Sequence, residues 1–123
     1  MASVIDVMVI TCIGGSKTKD LINKTILKLM KPSAIIVNIS RGSVINEVHL
    51  LDALNKNSIA GAALDVFKME PKINNKFLKL KNVLLSPHNG SATFETREKM
   101  ANISSQNLLN LLYLNKSKNR VKY

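Results

Sequence analysis

Short runs of hydrophobic residues alternate with amphipathic segments along most of this chain. The runs cover residues 7–11, 34–38, 59–64 and 83–85. Each is short and mostly aliphatic, as expected of buried parallel strands, and the run at 34–38 predicts a strand that is covered on both faces. The alternation predicts an α/β fold, with part of a Rossmann-type parallel sheet and flanking helices.

Polar capping residues and apolar residues at helical spacing predict the helices. Asn23 and Asn46 are suited to cap helices over residues 24–30 and 47–55. Apolar residues three and four positions apart predict a long C-terminal helix over residues 93–115. A basic tail follows it.

Composition limits the possible classes of protein. The chain has 123 residues, about one small domain, with 46% hydrophobic and only 4% aromatic residues, so the core must be aliphatic. The longest apolar run, residues 4–13, is interrupted by Asp6 and is too short to span a bilayer. The single cysteine, Cys12, fits a reducing compartment. We therefore expect a cytoplasmic protein that does not enter membranes, and no metal site.

The net charge of +10 raises the question of nucleic-acid binding. The lysines are spread along the chain, and no aromatic-rich nucleic-acid motif accompanies them. The densest cluster is the tail at 116–123, which we interpret as a solvated terminus. The charge pattern argues against nucleic acid as the partner.

Four chemically versatile side chains follow the predicted strands. Arg41, Asp65 and His88 come shortly after three successive strands, and Glu70 lies five residues beyond Asp65. Because the carboxyl ends of parallel strands meet at one edge of a sheet, these groups are expected to converge there. An arginine, two carboxylates and a histidine at one edge indicate acid/base chemistry on an anionic substrate. His49, inside a predicted helix, is interpreted as structural.

Several segments resemble the C-terminal half of the D-isomer-specific 2-hydroxyacid dehydrogenases, most closely the glyoxylate/hydroxypyruvate reductase branch. These are NKTILKLMKP (23–32), VNISRGSVIN (37–46), IAGAALDVF (59–67) and SPHNGSATFETREKMA (86–101). The chain departs from the family pattern at Ile13, where a Pro-Leu-Thr-like or Ser-Leu-Thr-like stretch is usual, and at Asn89, where an apolar residue is usual.

The resemblance implies an oxidoreductase that moves hydride between NAD or NADP and a small 2-oxo or 2-hydroxy acid. His88 would be the general acid/base, with Glu70 beside it to stabilise the imidazolium, and Arg41 would hold the substrate carboxylate. Asp65 would accept a hydrogen bond from the nicotinamide carboxamide. The other cofactor-lining positions would be Ile13, Ile39 and Gly90, and the substrate would meet Arg41, His88, Asn89, Gly90 and Ser91.

The resemblance also implies how the chain is organised. Residues 1–91 would be the second half of a dinucleotide-binding domain, and residues 92–115 would be a helix that returns toward a substrate domain. The glycine-rich G-x-G-x-x-G turn is missing from the chain. We therefore expect a fragment of a homodimeric enzyme that is inactive by itself and exposes an apolar strand edge.

Two other functions are compatible with the sequence. The first is a catalytically silent relative that senses dinucleotide or binds a partner, although the joint presence of Arg41, Glu70 and His88 argues against it. Oxidation of the reduced nicotinamide with glyoxylate would separate it from the enzyme. The second is nucleic-acid binding through the basic surface, which a steep salt dependence would reveal.

Overall fold

The computed structural model describes residues 1–114, and the predicted basic tail at 116–123 lies outside them. Four strands form one parallel sheet in sequence order. They are β1 (Val7–Ile10), β2 (Ile35–Asn38), β3 (Gly61–Leu64) and β4 (Val83–Leu85). The predicted α/β class with a partial Rossmann-type sheet is confirmed.

Two helices connect the first three strands. Helix α1 spans Lys24–Leu29 and helix α2 spans Glu47–Asn55, as the apolar spacing predicts to within one residue. The Asn23 side chain accepts hydrogen bonds from the Thr25 and Ile26 N–H groups in the first turn of α1, and the Asn46 side chain accepts one from the His49 N–H in the first turn of α2. Both caps satisfy N–H groups that have no partner within the helix.

The helices cover one face of the sheet. Ile36 of β2 is completely buried in the core, whereas its neighbour Ile35, which points to the opposite face, is 41% exposed. The prediction that residues 34–38 form a strand covered on both faces is therefore wrong. The reason is that α1 and α2 pack together on the side of Ile36, and the other side is apolar but open. We call Val7, Val9, Ile35 and Leu84 the open sheet face.

The described residues form two units, of which the first comprises residues 1–88. The second begins at Asn89 and contains helix α3 (Phe94–Leu114), which corresponds to the predicted long helix. The Thr93 hydroxyl accepts a hydrogen bond from the Thr96 N–H at the start of α3. Within residues 1–114, no helix combines the length and apolar character needed to cross a bilayer.

Candidate active site

Arg41 follows a tightly held turn at the carboxyl end of β2. The buried Asn38 side chain organises this turn, because its Oδ1 accepts from the Ser40 N–H at 3.1 Å and its Nδ2 donates to the Arg41 carbonyl at 3.1 Å. The Ser40 hydroxyl donates to the carbonyl of Cys12, in the segment that follows β1. A hydrogen bond therefore joins the segments that follow β1 and β2, next to Arg41 in the chain.

The Arg41 side chain is exposed, and its Nη1 donates to the Ser40 carbonyl at 2.8 Å. Its aliphatic part passes directly over Gly14. A Cβ atom at position 14 would lie 2.5 Å from Cγ of Arg41. Only glycine therefore leaves room for the arginine in this position.

Glu70 and His88 form a hydrogen-bonded pair. The distance between Glu70 Oε2 and His88 Nδ1 is 2.7 Å, and the Phe67 N–H donates to the other carboxylate oxygen, Oε1, at 2.8 Å. The side chains are partly exposed, 35% for Glu70 and 43% for His88. His88 has a backbone φ of 53°, in the left-handed region that non-glycine residues seldom occupy and that is enriched at functional sites.

Several groups favour the ionised form of Glu70. The hydrogen bond with His88 lowers the pKa of this carboxyl group most, and the Phe67 N–H lowers it further. The positive charge of Arg41 also lowers the Glu70 pKa, although it is the smallest of these causes. Glu70 is therefore a carboxylate near neutral pH, oriented by His88 on one side and by the backbone on the other.

Asp65 lies directly after β3, and it is largely buried. Its Oδ1 accepts a hydrogen bond from the Ser86 hydroxyl at 2.6 Å, and its backbone N–H donates to the Asn38 carbonyl at 3.0 Å. Asn38 and Ser86 are not among the site residues predicted from the sequence. Each is a polar residue where an apolar strand ends, the same signal that identifies Asp65.

Three depressions surround these side chains. A groove of about 320 Å³ is lined by Ile13, Ile39 and Arg41, and a cleft of about 70 Å³ is lined by Ile39, Asp65 and Ser86. A third, of about 670 Å³, has a mostly apolar lining that includes Glu70 and His88. The residues predicted from the first unit thus lie around neighbouring depressions.

The remaining predicted positions, Asn89, Gly90 and Ser91, lie in the second unit, in a turn closed by a hydrogen bond from the Ala92 N–H to the Asn89 carbonyl. Their place in the site stays a prediction. His49 is outside the site, since its Nδ1 accepts from the Lys24 N–H at the start of α1 at 3.2 Å.

The parallel sheet, with polar groups at the carboxyl ends of β2, β3 and β4, defines a Rossmann-type α/β domain. A family model described as the D-isomer specific 2-hydroxyacid dehydrogenase, NAD binding domain, matches residues 1–90. The chain belongs to this family. The resemblance found in the sequence is confirmed.

The chain is similar to several known proteins. It is 53% identical over 93 residues to a glyoxylate reductase from Pyrococcus furiosus, covering 76% of this chain and 28% of the relative. It is 43% identical over 109 residues to a 2-ketogluconate reductase from Gluconobacter oxydans, covering 89% and 35%. A solved structure, the NADPH-dependent glyoxylate/hydroxypyruvate reductase from Sinorhizobium meliloti in complex with NADP and malonate, matches with a TM-score of 0.95 and 32% identity. That match covers 98% of this chain and 38% of the solved one, so the chain spans about a third of its relatives' length.

Proposed function

We propose that this chain carries the nicotinamide side of the active site of an NAD(P)H-dependent reductase for small 2-oxo acids of the glyoxylate and hydroxypyruvate type. The observation that carries the proposal is the 2.7 Å contact between Glu70 and His88, with Arg41 close enough to act on the same carboxylate. The names of the family and of its similar members support the substrate class.

His88 acts as the general acid in the direction of reduction. Its Nδ1 is engaged by Glu70, so its Nε2 is the nitrogen that faces the substrate carbonyl oxygen. As the carbonyl carbon accepts hydride, the oxygen takes the Nε2 proton and becomes the hydroxyl of the product. The Glu70 carboxylate stabilises the imidazolium before transfer and fixes the ring orientation.

Arg41 binds the carboxylate of the 2-oxo acid. A guanidinium presents parallel N–H donors that match the two oxygens of a carboxylate, and its charge also stabilises the developing alkoxide. One of its nitrogens is held by the Ser40 carbonyl, which orients the planar group before substrate arrives.

The described residues fit the nicotinamide end of a dinucleotide. Ile13 and Ile39 are 89% and 55% exposed along the groove beside Arg41, where an aromatic ring would cover them. The cleft next to Asp65 provides an acceptor for a carboxamide N–H. Bound NADH or NADPH would supply the hydride. The chain contains no G-x-G-x-x-G turn for the pyrophosphate, so we propose that it binds dinucleotide weakly on its own.

A chimera tests the proposal. The matching segment of the Pyrococcus furiosus glyoxylate reductase is replaced by this chain, and oxidation of NADH and NADPH with glyoxylate is followed. We expect turnover, a loss of about 10²- to 10⁴-fold in kcat for His88→Ala, and no such loss for the control His49→Gln. Arg41→Ala should raise KM for glyoxylate.

Turnover that survives His88→Ala would reject the acid/base role. A folded chimera without turnover would favour the silent, dinucleotide-sensing relative instead. The homodimeric state and a role for Asn89, Gly90 and Ser91 at the substrate stay predictions of the family resemblance, and the cytoplasmic location stays a prediction from the composition.

A further inference from the structure

Gly42, which directly follows Arg41, is packed against the backbone of the loop that leads to Glu70. It is buried, and a Cβ atom at this position would overlap with the carbonyl group of Phe67 and the nitrogen of Lys68. Gly42 does not have a left-handed φ, so position 42 requires glycine for its small size and not for its backbone conformation. The Arg41 turn and the Glu70 loop therefore touch at this residue.

Glu47, in the first turn of α2, also contacts the peptide group between Phe67 and Lys68. Its Oε1 accepts a hydrogen bond from the Lys68 N–H at 3.1 Å. The preceding N–H, that of Phe67, donates to Glu70. Two consecutive backbone N–H groups are thus directed at two different glutamates, and only the φ and ψ torsions of Phe67 separate the two peptide planes that carry them.

We infer that Gly42 and Glu47 are positioning residues that set the Phe67–Lys68 peptide so that the Phe67 N–H orients Glu70 toward His88. The inference rests on the proposed function only in the importance that it attaches to the Glu70–His88 pair. Gly42 sets how closely the loop approaches β2, and Glu47 sets the rotation of the peptide group. Neither residue contacts the substrate.

Substitutions at the two positions act differently on the loop. In Gly42→Ala the added methyl group displaces the Phe67–Lys68 peptide, because backbone atoms cannot yield as a flexible side chain can. In Glu47→Ala the Lys68 N–H loses its acceptor, and no atom is added that would displace the loop. Glu47→Gln retains a side-chain oxygen acceptor and should preserve the arrangement. Gly15→Ala is the matched control, since a Cβ atom at position 15 meets nothing within 4 Å.

The test measures the Glu70 carboxyl group in the full chain, without substrate or cofactor. Its pKa is followed by carbon-detected NMR, together with hydrogen exchange of the Phe67 N–H. His88 and Arg41 are unchanged in sequence in every variant, so a change in the Glu70 pKa reports on how the loop backbone holds Glu70. We expect the Glu70 pKa to rise toward its ordinary value and Phe67 to lose protection in Gly42→Ala and Glu47→Ala. Glu47→Gln and Gly15→Ala should behave like the parent chain.

Unchanged Glu70 titration and Phe67 protection in Glu47→Ala would overturn the inference, even where Gly42→Ala does not fold. A Glu47→Gln variant that behaves like Glu47→Ala would also overturn it, because an acceptor at this position would then be irrelevant. The result is separable from the fate of the proposed function, since none of these measurements uses catalysis. A chimera that keeps its activity after His88→Ala would reject the function and leave the positioning of Glu70 intact.

Discussion

The hydroxyl of Ser86 and the carboxylate of Asp65 lie 2.6 Å apart across the ends of β4 and β3. The Asp65 backbone in turn donates to the carbonyl of Asn38 at the end of β2. Three strand ends are therefore linked by polar contacts at the point where the proposed cofactor meets the sheet. The contact with Ser86 holds one oxygen of Asp65, the carboxylate that we propose as the acceptor for a nicotinamide carboxamide.

Removing this hydroxyl should destabilise the first unit. In Ser86→Ala the largely buried Asp65 carboxylate loses a donor, which costs about 1–3 kcal/mol in the free energy of unfolding. Urea unfolding followed by circular dichroism measures the change. The control is Ser33→Ala, because Ser33 is exposed. Equal effects at the two positions would show that the contact between Ser86 and Asp65 contributes nothing of its own.

The Glu70–His88 pair should make stability depend on pH on the acid side. The pKa of Glu70 is lowered in the folded chain from its ordinary value of 4.5, mainly by the hydrogen bond with His88. A carboxyl group with a lowered pKa stabilises the fold above its ordinary pKa, and this contribution is lost as pH falls through the lowered value. The difference in unfolding free energy between the parent chain and Glu70→Gln should therefore be largest near neutral pH and shrink below about 4.5. Urea titrations from pH 7 to 3 measure it, and a constant difference would contradict the pairing.

The C-terminal end of α2 leads to a prediction about stability that does not depend on the proposed function. Asn57 has a φ of 50°, and hydrogen bonds run from its N–H to the Leu54 carbonyl and from the Ser58 N–H to the Ala53 carbonyl. This is the Schellman arrangement, in which glycine is preferred at the left-handed position. Asn57→Gly should leave stability unchanged or raise it by up to about 1 kcal/mol, whereas Asn57→Ala should lower it by about 1 kcal/mol. Thermal unfolding distinguishes them, and an alanine variant as stable as the glycine variant would contradict the assignment.

The elements that depend on local chemistry were predictable from the sequence. Helix α2 has the predicted bounds because Asn46 caps its first turn and its leucines recur at helical spacing. The placement of Arg41, Asp65 and His88 after the ends of β2, β3 and β4 follows from the geometry of parallel strands, which puts successive carboxyl ends at one edge of the sheet.

Features that depend on distant parts of the chain were not predictable. The hydrogen bond of Ser40 to the Cys12 carbonyl joins residues 28 positions apart, and only the sheet register brings them together. The contact of Gly42 with the Phe67–Lys68 peptide has the same origin. The coverage of β2 also escaped prediction, since an aliphatic run shows that a strand is apolar on both faces but not what packs on each.

The open sheet face leads to a prediction about association. It presents aliphatic side chains next to one another, and Leu84 is the most exposed of them at 71%. Contiguous apolar surface of this kind promotes association, so Leu84→Lys should reduce both binding of an apolar fluorescent dye and the sedimentation coefficient of the chain. Val48→Lys is the control, because Val48 is 72% exposed but lies on α2, away from this face. Because Leu84 points away from the core formed by α1, α2 and the sheet, the free energy of unfolding should change little. If Val48→Lys reduces association as strongly as Leu84→Lys, the added charge is the cause and the open sheet face is not.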